Sequence, residues 1–108
     1  MTEWDVDFAR SEQADKRALA VTGEVDLSSA VRFGQELSSL VGDGGTVFAD
    51  LSGVTFIDSS GVRELLTANR QAAALGGQLV LQDPSAACRR VLEISGVWDE
   101  FTIQKSQA

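Results

Sequence analysis

The 108-residue chain contains no histidine and no tyrosine, and only one cysteine, one proline and two lysines. Each shortage excludes a class of chemistry. Without histidine there is no Ser-His-Asp triad, no Cys-His pair and no His-bearing zinc site. A single cysteine rules out an intrachain disulfide and fits a reducing compartment. No apolar run is long enough to span a bilayer and no signal peptide is visible, so a cytoplasmic location without a membrane partner is expected. Basic residues are scarce too: 9 Lys and Arg stand against 16 Asp and Glu, a net charge of −7. That balance argues against a broad basic surface, and so direct nucleic-acid binding is not expected.

What is present is enough for one ordinary core. The length fits a single domain over residues 1–108, and 44% apolar content argues against a disordered chain. The charge is uneven. Residues 1–60 carry 11 acidic and 4 basic side chains, whereas residues 61–108 carry 5 of each. Any field the protein projects arises in its N-terminal half, serving either solubility or a bias toward a basic partner surface.

The hydrophobic pattern alternates between strand and helix periods. Trp4, Val6 and Phe8 alternate with Asp5 and Asp7, predicting a half-buried strand. Arg10 to Lys16 reads as a polar turn, and Leu19 and Val21 as a second strand ended by Gly23, together a hairpin. Asp26 or Ser28 is placed to cap a helix whose apolar face is Ala30, Phe33, Leu37, Leu40 and Val41, with Gly42, Gly44 and Gly45 as its stop. Thr46–Leu51 predicts an interior strand, and Val54–Ile57 a further apolar run. A second helix follows, with Val62, Leu65, Leu66, Asn69 and Ala73 on one face and Gly76-Gly77 at its end. Gln78–Gln82 is a fourth strand. Asp83-Pro84 reads as the start of a third helix, with Cys88, Val91 and Leu92 facing inward and Gly96 closing it. Phe101 and Ile103 predict a last short strand or extended tail. The expected fold class is α/β: a mixed, mostly parallel sheet of four to five strands, opening with an antiparallel hairpin and packed with helices.

Two junctions stand out chemically. In Asp58-Ser59-Ser60-Gly61 an apolar run delivers a carboxylate and two hydroxyls to a helix N-terminus. Helix capping is the simplest role for such residues. A capping box is not satisfied from either serine, since Val62 and Arg63 stand where Glu or Gln is required, so one serine caps and the other is free. A nucleophilic serine lacks a base: there is no histidine, and Lys16 and Lys105 lie in polar stretches. A third role is that of substrate. A phosphate on Ser59 would be tolerated by the helix dipole yet repelled by Asp58 and by any complementary partner surface. The second junction, Gly23-Glu24-Val25-Asp26-Leu27-Ser28, likewise hands a strand to a helix.

No metal or cofactor is indicated. Calcium-loop spacing is absent, and whether Glu24, Asp26, Asp50 and Asp58 share a sheet edge is left open by the sequence. Gly42-Asp43-Gly44-Gly45 and Gly76-Gly77 match neither a phosphate-binding loop nor a dinucleotide fingerprint. Cys88 reads as a small core residue rather than a redox sensor, and Arg89-Arg90 as a solvated helix face. Trp98 is left between core edge and contact surface.

Taken in order, these segments resemble a family. Gly23-Glu24-Val25-Asp26, the run Asp50 to Gly61 ending in Asp-Ser-Ser-Gly, Gly76-Gly77-Gln78-Leu79-Val80-Leu81, and Val91-Leu92-Glu93-Ile94-Ser95-Gly96 are similar to the motifs of STAS domains. The likeness is to bacterial anti-sigma factor antagonists of the SpoIIAA and RsbV kind, and it covers almost the whole chain. The resemblance implies a non-enzymatic switch. The unphosphorylated form binds an anti-sigma factor that is also a serine kinase, and this frees the sigma factor. The kinase phosphorylates the serine that maps to Ser59, and a PP2C-type phosphatase resets it. Asp26, Leu27, Ser28, Asp58, Ser60, Gly61 and Arg63 are the partner-binding residues on this reading. Val62-Arg63-Glu64 departs from the Leu-Gly pair of many relatives, which bears on partner identity. The alternative is a STAS adaptor subunit of a transporter or lipid-transport complex, with Ser59 a helix cap and no phosphorylation cycle.

Overall fold

The computed structural model describes residues 6–13 and 16–106. Five strands, β1 (Val6–Gln13), β2 (Lys16–Val25), β3 (Thr46–Ile57), β4 (Gln78–Gln82) and β5 (Thr102–Gln104), form one sheet in the order β1-β2-β3-β4-β5. Only β1 and β2 are antiparallel. Helices α1 (Leu27–Val41), α2 (Ser59–Ala74) and α3 (Ala86–Ile94) connect the parallel strands. Each crossover steps to the next strand in the same direction. Right-handed connections of that kind set all three helices on one face.

The burial pattern follows. Val47, Ala49 and Leu51 point under the helices and are fully buried, while Phe48 and Asp50 between them are half-buried. Phe33, Leu37 and Leu40 of α1, Leu65 of α2 and Leu92 of α3 close over them and over Leu19, Leu79 and Leu81. The helical period therefore decides which residues meet the sheet. Phe8 of β1 stacks on Phe33 with ring centroids 5.9 Å apart, which ties the hairpin to α1.

Several boundaries differ from the sequence expectation. Trp4 lies outside the described residues. The expected turn over Arg10–Lys16 is strand for most of its length: Arg10 pairs with Leu19, and Gln13 with Lys16. Polar side chains do not prevent this ladder. Arg10 bridges Glu12 at 3.2 Å and Glu36 of α1 at 3.8 Å. Gly23 does not end β2. Its φ of 96° carries the chain past an irregularity, and the strand continues to Val25. Nor is Val54–Ile57 a separate run: β3 is one strand in which two register shifts against β2 each insert an extra residue. Since β4 pairs only with Thr46–Asp50, the stretch Leu51–Ile57 stands beyond its end.

The second and third helices also shift. On α2 the buried residues are Gly61, Val62, Leu65, Ala68 and Ala72. Leu66 and Asn69 are half-buried and Ala73 is exposed. The small alanines let α2 lie close, and Asn69 donates to the Glu100 carbonyl at 3.1 Å. The cap of α3 is Ser85, whose hydroxyl accepts from the Cys88 amide at 3.1 Å, not Asp83. Asp83 adopts φ 49° and gives its amide to the Gln104 carbonyl at 2.8 Å, while its carboxylate accepts from the Ser106 amide at 2.8 Å. Pro84 therefore precedes the cap. Cys88 and Leu92 are buried as expected, but Val91 is half-buried. A short 3₁₀ turn, Trp98–Glu100, leads to β5, and Arg89 lies over the Trp98 ring at 4.8 Å.

Candidate functional site

The parallel strands β2 and β3 end in register, Val25 opposite Ile57, and the Asp58 amide donates to the Val25 carbonyl at 3.1 Å. Each strand passes directly into a helix through the same local pattern, Asp-x-Ser. An aspartate caps a helix by accepting amide hydrogen bonds that the first turn cannot make internally. Two such caps therefore stand side by side on one rim of the sheet.

In the first, Asp26 Oδ1 accepts from the Ser28 amide at 3.0 Å and the Ser28 hydroxyl at 2.7 Å. The Asp26 amide donates back to the Ser29 hydroxyl at 3.1 Å, completing a reciprocal box in which serine replaces the usual Glu or Gln. In the second, Asp58 Oδ1 accepts from the amides of Ser60 at 2.9 Å and Gly61 at 3.4 Å, and from the Ser60 hydroxyl. The hydroxyl of Ser28 holds the Asp26 carboxyl below the usual carboxylate range, and the hydroxyl of Ser60 does the same for Asp58. The Asp26 charge pushes Asp58 back up, so the two carboxylates sense one another.

The assignment corrects the expectation that a serine caps α2. Asp58 is the cap. Ser60 is half-buried and committed to it. Ser59 occupies the first helical position and is exposed, and among the described residues none bonds to its hydroxyl. On α1 the equivalent position is Leu27, whose side chain is 77% exposed. Leu27 and Ser59 are thus matching projections from matching junctions.

Glycine at 61 is dictated by close approach. A Cβ there would fall 2.8 Å from side-chain atoms of both Ile57 and Val25. The first turn of α2 rests on the ends of the two strands, and only a hydrogen side chain leaves room. Of the residues singled out in the sequence, Asp26, Leu27 and Ser28 gather at the start of α1, and Asp58, Ser59 and Ser60 at the start of α2. Gly61 lies beneath them, buried. Arg63 is exposed one turn farther along α2. Glu24 is exposed one residue before Val25. Asp50 does not join the group. It sits within β3 and accepts from the Ser52 amide and hydroxyl at 3.0 and 2.7 Å. Among the described residues no three His, Cys, Asp or Glu side chains gather as metal ligands.

Sequence reasoning missed two contributors to this surface. Val31, one turn after Leu27, is 66% exposed, and Phe56 at the end of β3 is 47% exposed. The signal for Val31 was an apolar residue off the buried face of α1. Phe56 gave none, because it stands in the apolar run Val54–Ile57, and only the register shift between Val54 and Phe56 turns it off the buried face. Cys88 is fully buried, and burial pushes its thiol up to about 12, so it offers no reactive thiolate. Among the described residues no helix is long and apolar enough to cross a membrane.

The family model described as "Mlab, STAS domain" matches residues 3–103. An anti-sigma F factor antagonist of Lysinibacillus sphaericus is 32% identical over 77 residues, which span 69% of this chain and 66% of that relative. Among solved structures, an anti-sigma factor antagonist from Mycobacterium paratuberculosis superimposes with a TM-score of 0.81 at 22% identity, covering 92% of this chain and 85% of its own. The anti-sigma factor antagonist SpoIIAA in its unphosphorylated form gives 0.78 at 23% identity, covering 94% and 89%. At these identities the structural likeness establishes a shared fold.

Proposed function

The chain belongs to the STAS domain family, and on that footing we propose that it is an anti-sigma factor antagonist switched by phosphorylation of Ser59. The unphosphorylated protein binds an anti-sigma factor that is also a serine kinase and so releases the sigma factor. Transfer of phosphate to Ser59 ends the complex, and a PP2C-type phosphatase restores it. The chain acts as a binding partner and as the kinase's substrate, not as a catalyst.

One observation carries this reading: the hydroxyl that projects from the rim is the one hydroxyl of the Asp-Ser-Ser-Gly run that the fold does not use. Ser60 is bonded to Asp58, whereas Ser59 is exposed and, among the described residues, unbonded. Phosphorylation at 59 leaves the Asp58 cap in place, because the amides of Ser60 and Gly61 already belong to Asp58. The added charge, about −1.5 to −2, then lands beside Asp58 and Asp26. A partner whose surface complements exposed Leu27 and Val31 and two carboxylates is apolar with a basic rim. Such a partner has no shortage of attraction before modification. After it, the phosphate's bulk and hydration shell stand where Ser59 had fitted closely.

The test is a pull-down from native lysate with wild type, Ser59→Ala and Ser59→Asp as baits, each with ADP or ATP. The expected result is a serine-kinase anti-sigma factor retained by Ser59→Ala and lost by Ser59→Asp. Retention of one set of transporter or lipid-transport subunits by all three baits would replace the switch with an adaptor role.

A further inference from the structure

Ser59 and Arg63 lie one turn apart on α2. Residues at i and i+4 of a helix are neighbours on its surface, with Cβ atoms roughly 5–6 Å apart. Both are exposed. Among the described residues, no carboxylate lies within ion-pair distance of the Arg63 guanidinium. Among the described residues, the anionic groups at this rim are Asp58, the cap immediately before Ser59, and Asp26 across the junction, which acts on Asp58. The amides that a phosphate takes at a helix N-terminus are largely spent, since Asp58 holds those of Ser60 and Gly61. A phosphate on Ser59 therefore meets two carboxylates and few free donors. The cation placed to answer it from the same helix face is Arg63.

We propose that Arg63 is the intramolecular partner of the phosphate on Ser59, a positioning residue that folds its guanidinium back along α2 once Ser59 is modified. The planar guanidinium suits two phosphate oxygens at once, which lysine cannot reproduce. Two consequences follow. The phosphorylated chain keeps its first helical turn despite the added charge. Arg63 is also withdrawn from any acidic or polar group of the partner it had faced, so a single modification adds the phosphate's bulk and removes one contact. This inference rests on Ser59 being the modified residue.

The experiment separates the two ideas by placing phosphoserine at position 59 during translation, so that no cellular kinase is needed. The phosphorus NMR signal of the full chain is titrated through pH 5 to 8 for wild type, Arg63→Gln and Arg63→Lys. A nearby cation favours the dianion, whereas Asp58 and Asp26 oppose it in all three proteins alike. The expected result is that the wild-type phosphate loses its second proton at the lowest pH and Arg63→Gln at the highest. Arg63→Lys should fall between them, and the spread should collapse in 1 M salt, where the Debye length is about 3 Å. Circular dichroism on the same samples confirms that each is folded. Coincident titration curves for wild type and Arg63→Gln would overturn the pairing, whatever the lysate pull-down shows. Separated curves together with no kinase dependence in the pull-down would uphold the pairing and overturn the switch.

Discussion

The amide of Asp58 donates to the carbonyl of Val25 at 3.1 Å, and this one bond sets the start of α2 against the start of α1. It extends the pairing of Val25 with Ile57 by one step, so the two aspartate caps stand on adjacent strand ends. With it, Leu27 and Ser59 project from one rim at a fixed relative height. The geometry of the site is thus a property of strand register rather than of loop conformation.

Loss of the α2 cap should be measurable and distinct from loss of the Ser59 hydroxyl. Asp58→Ala removes the acceptor for two amides and should lower stability by about 1 kcal/mol in urea unfolding. Ser59→Ala, at an exposed and unbonded position, should change it by no more than about 0.5 kcal/mol. Equal losses from the two substitutions would show that Ser59 shares in capping.

The caps also predict an acid response. Asp26 and Asp58 are both held below their ordinary range, so each binds fewer protons when folded than when unfolded. Their contribution is complete above the unfolded carboxylate range and is lost as pH falls through it toward the lowered folded value. Thermal midpoints should therefore fall between about pH 5 and pH 3. Asp58→Asn, which caps without titrating, should show a shallower fall, read by circular dichroism melts across that range.

Gly61→Ala tests the packing beneath the rim. The new methyl would meet Ile57 and Val25 at 2.8 Å, well inside normal contact. The expected cost is about 1–3 kcal/mol, the range for overpacking a close-packed site. Amide chemical-shift changes should centre on residues 25–28 and 57–62. A substitution without effect on stability would mean that α2 can lift from the strand ends without loss.

Leu27→Asp separates binding from folding. Leu27 is 77% exposed at the first position of α1, so little packing is lost, and a carboxylate there interacts favourably with the helix dipole. The urea midpoint should hold or rise slightly. Affinity for the proposed anti-sigma factor partner, measured by titration calorimetry, should fall at least tenfold, the loss expected for an apolar anchor, about 1.4 kcal/mol. Unchanged affinity would move the contact away from α1.

Cys88 should be silent in the folded protein. Its thiol is fully buried and pushed up to about 12. Ellman's reagent at pH 8 should leave it unmodified over the time in which the urea-unfolded chain reacts completely. Fast reaction under native conditions would reopen a redox role.

Much of this was legible in the residues, for identifiable reasons. The α1 face of Ala30, Phe33, Leu37, Leu40 and Val41 is buried as its period implies, because one amphipathic helix on a sheet has one solution. The aspartate and serine residues at both junctions marked helix starts correctly. Which atom capped was not legible, since Asp58, Ser59 and Ser60 all carry a suitable oxygen and only the backbone placement of Asp58, with φ −112°, selects it. The α3 start was misplaced for a long-range reason. Asp83 and Pro84 have the local chemistry of a cap and first turn, but Asp83 is engaged by Gln104 and Ser106, some twenty residues on. Likewise the extra residues in β3 leave no trace in composition, because a bulge is defined by the partner strand it is counted against.

The overhang of β3 has a consequence for how a partner arrives. Because Leu51–Ile57 continues past the end of β4, the starts of α1 and α2 stand, among the described residues, beyond the β4 side of the sheet as a ledge. A partner that docks on the α1 and α2 starts, as proposed, would meet that ledge before the β4 side of the sheet. On such a ledge a change to one projecting side chain, Leu27 or Ser59, would weigh heavily in the encounter.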